Sequence, residues 1–287
     1  MKRILITGAG SYIGSSVHSW LNQWPEKYEV SELDMVMPNW SEFDFTGYDA
    51  VFHVAGIAHR SASFEKEQAE LYYSVNRDLA VRVAGKAKEA GVNQFILMSS
   101  MSVYGGSGVT LIMPTTSARP NGAYGDSKLQ AEHMISILGD ERFKVAILRP
   151  PMVYGKNCPG NFANLVKLTS KLLVFPKVEN KRSVLFIDNL AEFVRLLIDD
   201  ESSGIFFPQD DRHVSTSDLA MGIAASQNKK LLLLPGGQLM TNLLARIPGK
   251  VGRLAKKAFG DMAYDLSMSH YSKPYCLTST KSALTNL

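Results

Sequence analysis

A glycine-rich turn directly after the first strand is the feature that most constrains how this chain folds. The apolar run at residues 4–7 predicts a strand, and the glycines after it allow backbone angles that side chains forbid. A helix that begins there points its N-terminal N–H groups at the turn, where a pyrophosphate binds. Asp34 lies twenty residues beyond Gly14, at the end of the second predicted strand, where a carboxylate can bind an adenosine ribose. The predicted dinucleotide site includes Gly8, Gly10, Ser11, Tyr12, Ile13, Gly14 and Asp34.

Strand-like apolar runs alternate with helical patterns through the first half of the chain. The predicted strands are residues 4–7, 28–33, 50–54, 95–99 and 145–148. Between the third and fourth of these, Leu71, Val75, Leu79 and Val83 recur every fourth residue and predict a helix that ends at Gly91. Alternation of this kind predicts an α/β fold, in which helices cover both faces of a doubly wound parallel sheet.

The second half of the chain is less regular, since Pro and Gly interrupt shorter elements from residue 155 onward. Residues 189–199 nevertheless have the pattern of one more helix that covers the sheet. We therefore expect a dinucleotide-binding domain at residues 1–156, with a return at 183–205. Residues 157–287 then form mainly a smaller substrate-binding lobe.

Composition excludes several classes of protein. With 45% apolar and 20% charged residues, the 287-residue chain is neither disordered nor of low complexity. The net charge of +4 gives no reason to expect a nucleic-acid partner. No apolar run approaches the roughly 18 residues that span a bilayer, and no signal-peptide pattern follows Met1. Because two cysteines give no disulfide framework and the histidines no zinc-like spacing, we expect a cytoplasmic protein without a metal site.

Polar residues at the end of the fourth strand and at the start of a later helix form an arrangement suited to moving a proton. Ser99 and Ser100 end the strand, where open α/β sheets bind their ligands. Tyr124 and Lys128 are four residues apart and therefore share a helix face. An ammonium about 5 Å from a phenol favours the phenolate by roughly 3 kcal/mol, which lowers the tyrosine pKa by about two units. Tyr124 is thus a candidate general acid or base.

At this point the chain resembles the extended short-chain dehydrogenase/reductase superfamily, the branch of nucleotide-sugar epimerases, dehydratases and 4-ketoreductases. The resemblance covers nearly the whole chain. Its motifs are the glycine-rich turn, Asp49-Ala50-Val51-Phe52-His53-Val54-Ala55-Gly56, Tyr73-Ser74-Val75-Asn76, Ser100-Met101-Ser102-Val103-Tyr104-Gly105, the Tyr124/Lys128 pair and Leu148-Arg149-Pro150-Pro151-Met152-Val153-Tyr154-Gly155.

The resemblance implies roles for residues at the matching positions. Ser100 hydrogen-bonds the reacting sugar hydroxyl, Tyr124 moves its proton, and Lys128 holds the nicotinamide ribose and lowers the pKa of the tyrosine. Asn161 and Arg182 match positions that touch the diphosphate or sugar of the substrate. The further cofactor-contacting or site-ordering positions are Ala55, Gly56, Asn76, Ser99, Pro150 and Val153. The implied cofactor is NAD.

Two departures from the family pattern affect the expected chemistry. Ser11 stands where the second glycine of the turn is usual, which alters the approach of the pyrophosphate without removing the expected binding. Met101 and Ser102 replace the Asp-Glu pair of 4,6-dehydratases, and this removes the acid and base that eliminating water needs. Dehydration is therefore disfavoured.

A basic segment near the C-terminus leaves three interpretations open. It follows apolar residues and holds five cations in twelve residues without an acid: Arg246, Lys250, Arg253, Lys256 and Lys257. The segment is a solvated helix face, a cleft that attracts an anionic diphosphate, or a basic amphipathic surface that rests on an acidic membrane.

The fold and function implied by the resemblance are a doubly wound Rossmann sheet and NAD-dependent 4-epimerisation of a nucleotide-linked sugar. A nucleotide-sugar 4-ketoreductase uses the same residues and is the nearest alternative. A non-catalytic dinucleotide-sensing regulator or assembly subunit is the second alternative, because a fold does not fix a function. The family also implies a homodimer, with contacts through helices at residues 69–90 and 123–137.

Overall fold

The computed structural model describes residues 1–58, 65–285 and 287, and its central feature is a six-stranded parallel sheet. The strands are β1 Lys2–Thr7, β2 Tyr28–Leu33, β3 Ala50–His53, β4 Gln94–Met98, β5 Leu111–Ile112, β6 Lys144–Leu148, β7 Met152–Tyr154, β8 Val174–Pro176, β9 Val184–Phe186, β10 Gly204–Phe206, β11 Leu232–Leu234 and β12 Ala263–Tyr264. The sheet has the order β10-β6-β4-β3-β1-β2, and the remaining strands pair as β11-β8, β12-β5 and β7-β9. The predicted α/β class with a parallel sheet is confirmed, and the five predicted strands lie within two residues of their observed bounds.

Ten α-helices occur in the described part of the chain. They are α1 Tyr12–Leu21, α2 Glu65–Tyr72, α3 Ala80–Glu89, α4 Ala123–Ser136, α5 Asn161–Lys171, α6 Ile187–Asp199, α7 Thr216–Ser226, α8 Gly237–Arg246, α9 Lys250–Phe259 and α10 Thr280–Thr285. None of these helices is long and apolar enough to cross a bilayer.

Alternation along β1 explains why helices cover both faces of the sheet. Ile4 and Ile6 pack in one core with Leu190 and Val194 of α6, whereas Leu5 packs in a second core with Val83 of α3. Successive side chains of a strand point to opposite faces, so an uninterrupted apolar strand must be covered on both sides. The result is three layers, in which the carboxyl ends of the strands form the edge that carries the candidate site.

The long helical pattern between β3 and β4 is not a continuous α-helix. Residues Tyr73–Leu79 form a π-helical segment between α2 and α3. A strict spacing of four exceeds the 3.6 residues of an α-helical turn, so the predicted face rotates unless the helix unwinds. Tyr72, Asn76 and Ala80 are buried there, while the predicted apolar positions Leu71 and Val75 are only half-buried. The segment thus directs a polar side chain, that of Asn76, into the protein.

Candidate active site

The glycine-rich turn is tied to the ends of β2 and β3. Gly8 has a φ of 118°, and a Cβ atom there would lie 2.8 Å from the backbone nitrogen of Ala55, so only glycine fits. Ser11 is the N-cap of α1 and accepts a hydrogen bond of 3.2 Å from the Gly14 amide. The family departure at Ser11 therefore has a local structural role as a helix cap. The amides that begin α1 face the turn, and this geometry fits a bound pyrophosphate.

The ring of Tyr12 points away from this turn. A Cβ atom on Gly155 would lie 2.7 Å from the Tyr12 hydroxyl oxygen, which has no hydrogen-bond partner among the described residues. Ile13 packs against the core on the α6 side of the sheet. At both predicted cofactor positions, only the backbone is thus placed to face a pyrophosphate.

Two carboxylates lie at the end of β2, of which sequence reasoning identified one. Asp34 follows the strand and accepts a hydrogen bond from the Val36 amide at 2.9 Å. Glu32 accepts a hydrogen bond of 3.3 Å from the Gly10 amide, and its other oxygen lies 2.5 Å from His18 Nδ1. Because strand side chains alternate between faces, the spacing of two between Glu32 and Asp34 was the signal that both carboxylates share a face.

These carboxylates predict a preference for NAD over its 2'-phosphorylated form. A 2'-phosphate would meet two negative charges, and no Arg or Lys occurs in the ten residues after Asp34 to bind it. We expect NAD to bind more tightly than NADP in parallel fluorescence titrations. The Glu32→Gln and Asp34→Asn variants should narrow the difference. Equal affinities in the unaltered protein would contradict the role of Asp34.

Lys128 lies buried between the ends of β3 and β4. Its ammonium donates a hydrogen bond of 2.9 Å to the Met98 carbonyl, and a Cβ atom on Gly56 would lie 3.1 Å from its Nζ atom. The Asn76 Oδ1 atom lies beside the same glycine and accepts a hydrogen bond of 2.9 Å from the Ile57 amide. The structure thus brings Gly56, Asn76 and Lys128 together next to Ala55. Burial lowers the pKa of Lys128 to about 8, against an opposing effect of Glu132.

This pKa predicts how stability depends on pH. In the unfolded chain the lysine titrates near its ordinary value of 10.5, so between about pH 8 and 10.5 the unfolded state binds more protons than the native state. The contribution of Lys128 to the free energy of unfolding therefore rises with pH through that window. We expect Lys128→Met to gain stability relative to the unaltered protein at pH 7, and about 2–3 kcal/mol of that gain should disappear by pH 10. Urea unfolding at both pH values measures it.

The exposed Lys281 provides the control for this measurement. The Lys281→Met variant should follow the unaltered protein at both pH values, since its ammonium is not buried. A stability difference for Lys128→Met that does not change between pH 7 and pH 10 would contradict the assignment of a depressed pKa to Lys128.

Ser100 and Tyr124 meet at the carboxyl edge of the sheet. Their side chains are hydrogen-bonded, and the Tyr124 ring lies 5.7 Å from the ring of Tyr72, centroid to centroid. Ser100 also caps the short 3₁₀ helix Met101–Tyr104, where its hydroxyl accepts a hydrogen bond of 3.1 Å from the Ser102 amide. The serine is thus fixed by the backbone that follows it.

The pKa of Tyr124 differs from the sequence-based expectation. Burial raises it above its ordinary value, although the hydrogen bond from Ser100 acts in the opposite direction. The expected lowering by Lys128 is not found, because the ammonium is directed at the Met98 carbonyl. The hydroxyl of Tyr124 is therefore protonated at neutral pH in this arrangement.

A buried ion pair lies behind these residues, and sequence reasoning missed it. Glu132 follows Lys128 by one turn of α4 and accepts hydrogen bonds from Arg149 Nε at 3.0 Å and Nη2 at 2.5 Å. Arg149 also donates to the Tyr104 hydroxyl at 2.5 Å, and Ser99 donates to Glu132. The predicted cofactor position Ser99 is thus engaged in this network. The signal available in sequence was the spacing of four between Lys128 and Glu132, which places a carboxylate on the same helix face.

The remaining predicted residues lie beyond β6. Pro150 is buried and its carbonyl accepts a hydrogen bond of 2.9 Å from the Met101 amide, and Val153 lies within β7. Asn161 is exposed at the first turn of α5. Arg182 Nη1 donates to the carbonyls of Lys257 at 3.0 Å and Gly260 at 3.2 Å, so its guanidinium holds the C-terminal end of α9. The substrate-binding roles of Asn161 and Arg182 stay predictions.

The chain matches a known protein family over more than half of its length. A model of the NAD dependent epimerase/dehydratase family matches residues 4–206. The chain is 28% identical over 292 residues to a UDP-glucose 4-epimerase of Vibrio cholerae, across 93% of this chain and 88% of that protein. It is 27% identical over 256 residues to the N-acetyl-alpha-D-glucosaminyl-diphospho-ditrans,octacis-undecaprenol 4-epimerase of Escherichia coli O157:H7, across 81% and 75% of the two chains.

Solved structures agree at the level of the fold. The UDP-glucuronic acid 4-epimerase of Bacillus cereus, determined in complex with NAD, has a TM-score of 0.72 at 18% identity and covers 99% of this chain and 94% of its own. The family match spans the glycine-rich turn, the Tyr124/Lys128 pair and the six-stranded sheet from Ile4 in β1 to Phe206 in β10. The chain therefore belongs to the NAD dependent epimerase/dehydratase family.

Proposed function

We propose that this protein is an NAD-dependent 4-epimerase of a nucleotide-linked sugar. The observation that carries the proposal is the hydrogen bond between Ser100 and Tyr124 at the edge of the sheet where the buried Lys128 ammonium binds the carbonyl of Met98, at the end of β4. Ligands of open α/β sheets bind at this edge, and the glycine-rich turn lies on it. NAD, when bound, accepts hydride from a sugar carbon and returns it.

The chain's own residues move the proton and hold the reactants. Tyr124 in its ionised form takes the proton of the sugar hydroxyl and later gives it back, and Ser100 orients that hydroxyl through a hydrogen bond. Lys128 favours the ionised tyrosine when it turns from the Met98 carbonyl toward the phenol, because an opposite charge lowers a phenol pKa. Asn161 and Arg182 are our candidates for contact with the substrate diphosphate.

The decisive experiment supplies UDP-, GDP- and dTDP-linked sugars and follows epimer, 4-keto and dehydrated products by NMR. We expect an epimer to form with no net consumption of cofactor and with NAD retained through purification. Net reduction of a 4-keto sugar with release of the cofactor would instead assign a 4-ketoreductase. Tight NAD binding without any product would favour the non-catalytic regulator.

The same spectra test the exclusion of dehydration. Met101 is buried in an apolar cluster with Val103 and Tyr264, and Ser102 is neither an acid nor a base of useful strength. A 4-keto-6-deoxy sugar among the products would overturn our interpretation of Met101 and Ser102.

A lipid-linked sugar diphosphate is a second candidate for the substrate. The relative from E. coli O157:H7 acts, by its name, on a sugar joined through a diphosphate to undecaprenol. The diphosphate-sugar portion is chemically shared with a nucleotide sugar, so the proposed site needs no different catalytic groups. An undecaprenyl-diphosphate sugar therefore belongs in the same panel, and turnover of it alone would replace the nucleotide-linked substrate.

The division of the chain also remains our proposal, with a dinucleotide-binding domain at residues 1–156 and 183–205 and a substrate lobe formed mainly by 157–287. Pairing of β10 with β6 supports the return, because it adds residues Gly204–Phe206 to the main sheet.

We place the enzyme in the cytoplasm, since both Cys158 and Cys276 are free thiols.

We further propose a homodimer built on α4 and on the helix that contains α2 and α3. Met134 and Ile137 are exposed on and just after α4, and Leu71 and Val75 stay half-buried on the neighbouring helix. A second copy would cover these apolar side chains. We expect sedimentation at micromolar concentration to give the mass of a dimer, and Ile137→Glu with Met134→Glu to give a monomer. A monomer in the unaltered protein would contradict the proposal.

A further inference from the structure

Helices α8 and α9 form a hairpin that is attached to the protein at its two ends. At the start of α8, a Cβ atom on Gly237 would lie 2.6 Å from the Lys177 backbone nitrogen, so the helix begins directly on the end of β8. At the end of α9, the Phe259 ring packs 6.1 Å from the Phe175 ring, and the Thr216 hydroxyl donates to the Ala258 carbonyl at 2.7 Å. Between these attachments Thr241 and Ala255 are buried, while most other side chains of the hairpin are exposed.

The outer side of α8 is apolar. Leu239 is 68% exposed and Leu243, one turn later, is 55% exposed. With three other apolar side chains they line an open groove of about 450 Å³; the set is Leu239, Met240, Leu243, Leu244 and Ile247. Exposed apolar stripes at helical spacing mark interaction surfaces, because covering them releases water and lowers the free energy.

Cations adjoin this apolar groove. Ile247 lines both the groove and a neighbouring depression, whose other lining residues include Arg246, Arg253 and Lys256. On α9 the exposed side chains of Val251 and Leu254 continue the apolar character next to Arg253. Residues 219–260 contain seven Lys or Arg and no Asp or Glu. The surface therefore combines exposed aliphatic side chains with cations that no acidic residue of this stretch neutralises.

We propose that this hairpin surface docks the protein onto an anionic lipid bilayer. The hairpin surface consists of Leu239, Met240, Leu243, Ile247, Val251 and Leu254 with Arg246, Arg253 and Lys256. Aliphatic side chains enter the boundary between headgroups and acyl chains, and the cations bind the anionic headgroups. The proposal concerns where the protein binds and does not depend on the reaction that it catalyses.

Charge and side-chain type favour a bilayer over a protein partner. A twofold contact between two copies would place the same cations opposite one another without acids to neutralise them. Protein interfaces are enriched in aromatic residues, and the hairpin surface contains none. An anionic bilayer provides an apolar interior for the aliphatic side chains and negative headgroups for the cations.

The test is flotation of the full-length protein with vesicles of defined composition. We expect binding to vesicles that contain phosphatidylglycerol to exceed binding to pure phosphatidylcholine by at least about tenfold, because several cations meet anionic headgroups. Added salt should weaken the binding, since it screens exposed charges. Equal binding to both kinds of vesicle, or none to either, would overturn the proposal.

Two double variants separate the apolar and cationic contributions. Leu239→Glu with Leu243→Glu should lower vesicle binding at least about tenfold, whereas Leu277→Glu, at a residue 58% exposed elsewhere, should not. Arg253→Gln with Lys256→Gln should lower it about thirtyfold, and Arg142→Gln with Lys281→Gln, at exposed cations elsewhere, should change it little. Thermal melting of each variant shows that the fold is kept.

Other outcomes assign the surface differently. If the hairpin variants bind vesicles as the unaltered protein does but raise KM for the sugar substrate, the cations belong to a substrate cleft and the proposal fails. If they convert a dimer to a monomer in sedimentation without changing vesicle binding, the surface contacts a second copy and the proposal fails as well.

Discussion

We expect substitution of Tyr124 by phenylalanine to lower turnover by about 10²- to 10⁴-fold and to leave folding and NAD binding intact. Phenylalanine keeps the ring that packs 5.7 Å from Tyr72, so the local structure has no reason to change. It lacks the hydroxyl that is hydrogen-bonded to Ser100, and the sugar proton then has no acceptor. Steady-state kinetics with an accepted sugar, together with NAD titration and thermal melting, measure the three quantities.

Tyr73 provides the matched control. Its hydroxyl donates a 2.6 Å hydrogen bond to Asp126, which lies on α4 together with Tyr124. Tyr73→Phe removes one phenolic hydroxyl near α4 without touching the proposed proton path, and we expect turnover within a fewfold of the unaltered enzyme. Unchanged turnover in Tyr124→Phe would remove the proposed mechanism. Loss of NAD binding or of the fold in this variant would show that the hydroxyl is structural.

We expect replacement of Glu132 with leucine to destabilise the protein by about 3–5 kcal/mol, because it leaves the buried guanidinium of Arg149 without its carboxylate partner. The two side chains are 1% and 8% exposed, and water cannot take over the lost hydrogen bonds. The hydroxyl of Ser99 loses its acceptor in the same change. Urea unfolding gives the difference in free energy.

Two further variants decide whether the ion pair is the cause. Glu132→Leu combined with Arg149→Met should regain most of the lost stability, since an apolar pair can replace a buried ion pair at little cost. Glu29→Gln, which breaks the exposed pair with Arg3, should cost no more than about 1 kcal/mol. A Glu132→Leu variant that loses no more than this exposed pair, or a double variant no more stable than the single one, would contradict the prediction.

Most strands of the central sheet could be predicted from sequence because they are short apolar runs bounded by polar or turn residues. The exceptions show the limit of the method. The edge strand β10 has only three residues, two of them exposed, so no buried run marks it. The π-helical segment at Tyr73–Leu79 was signalled only by a spacing that fits an α-helix poorly. Short edges and local unwinding depend on tertiary contacts that a sequence pattern does not contain.

Within the site, the sequence identifies residues better than it identifies their partners. The spacing of Tyr124 and Lys128 places both on one face of α4, as expected. It does not reveal that the ammonium donates to the Met98 carbonyl or that Glu132 pairs with Arg149, because these partners come from β4 and from the loop after β6. The predicted lowering of the Tyr124 pKa was wrong, because the sequence argument did not include burial, which raises this pKa.

The acid-free stretch at residues 219–260 makes this protein an electric dipole. It carries seven of the 31 cationic residues and none of the 27 acidic ones, so the rest of the chain has 24 cations against 27 acids and a net charge of −3. The formal +4 of the whole chain is therefore the sum of a strongly positive region and a mildly negative remainder. We expect such a molecule to bind a negatively charged surface with the acid-free stretch foremost.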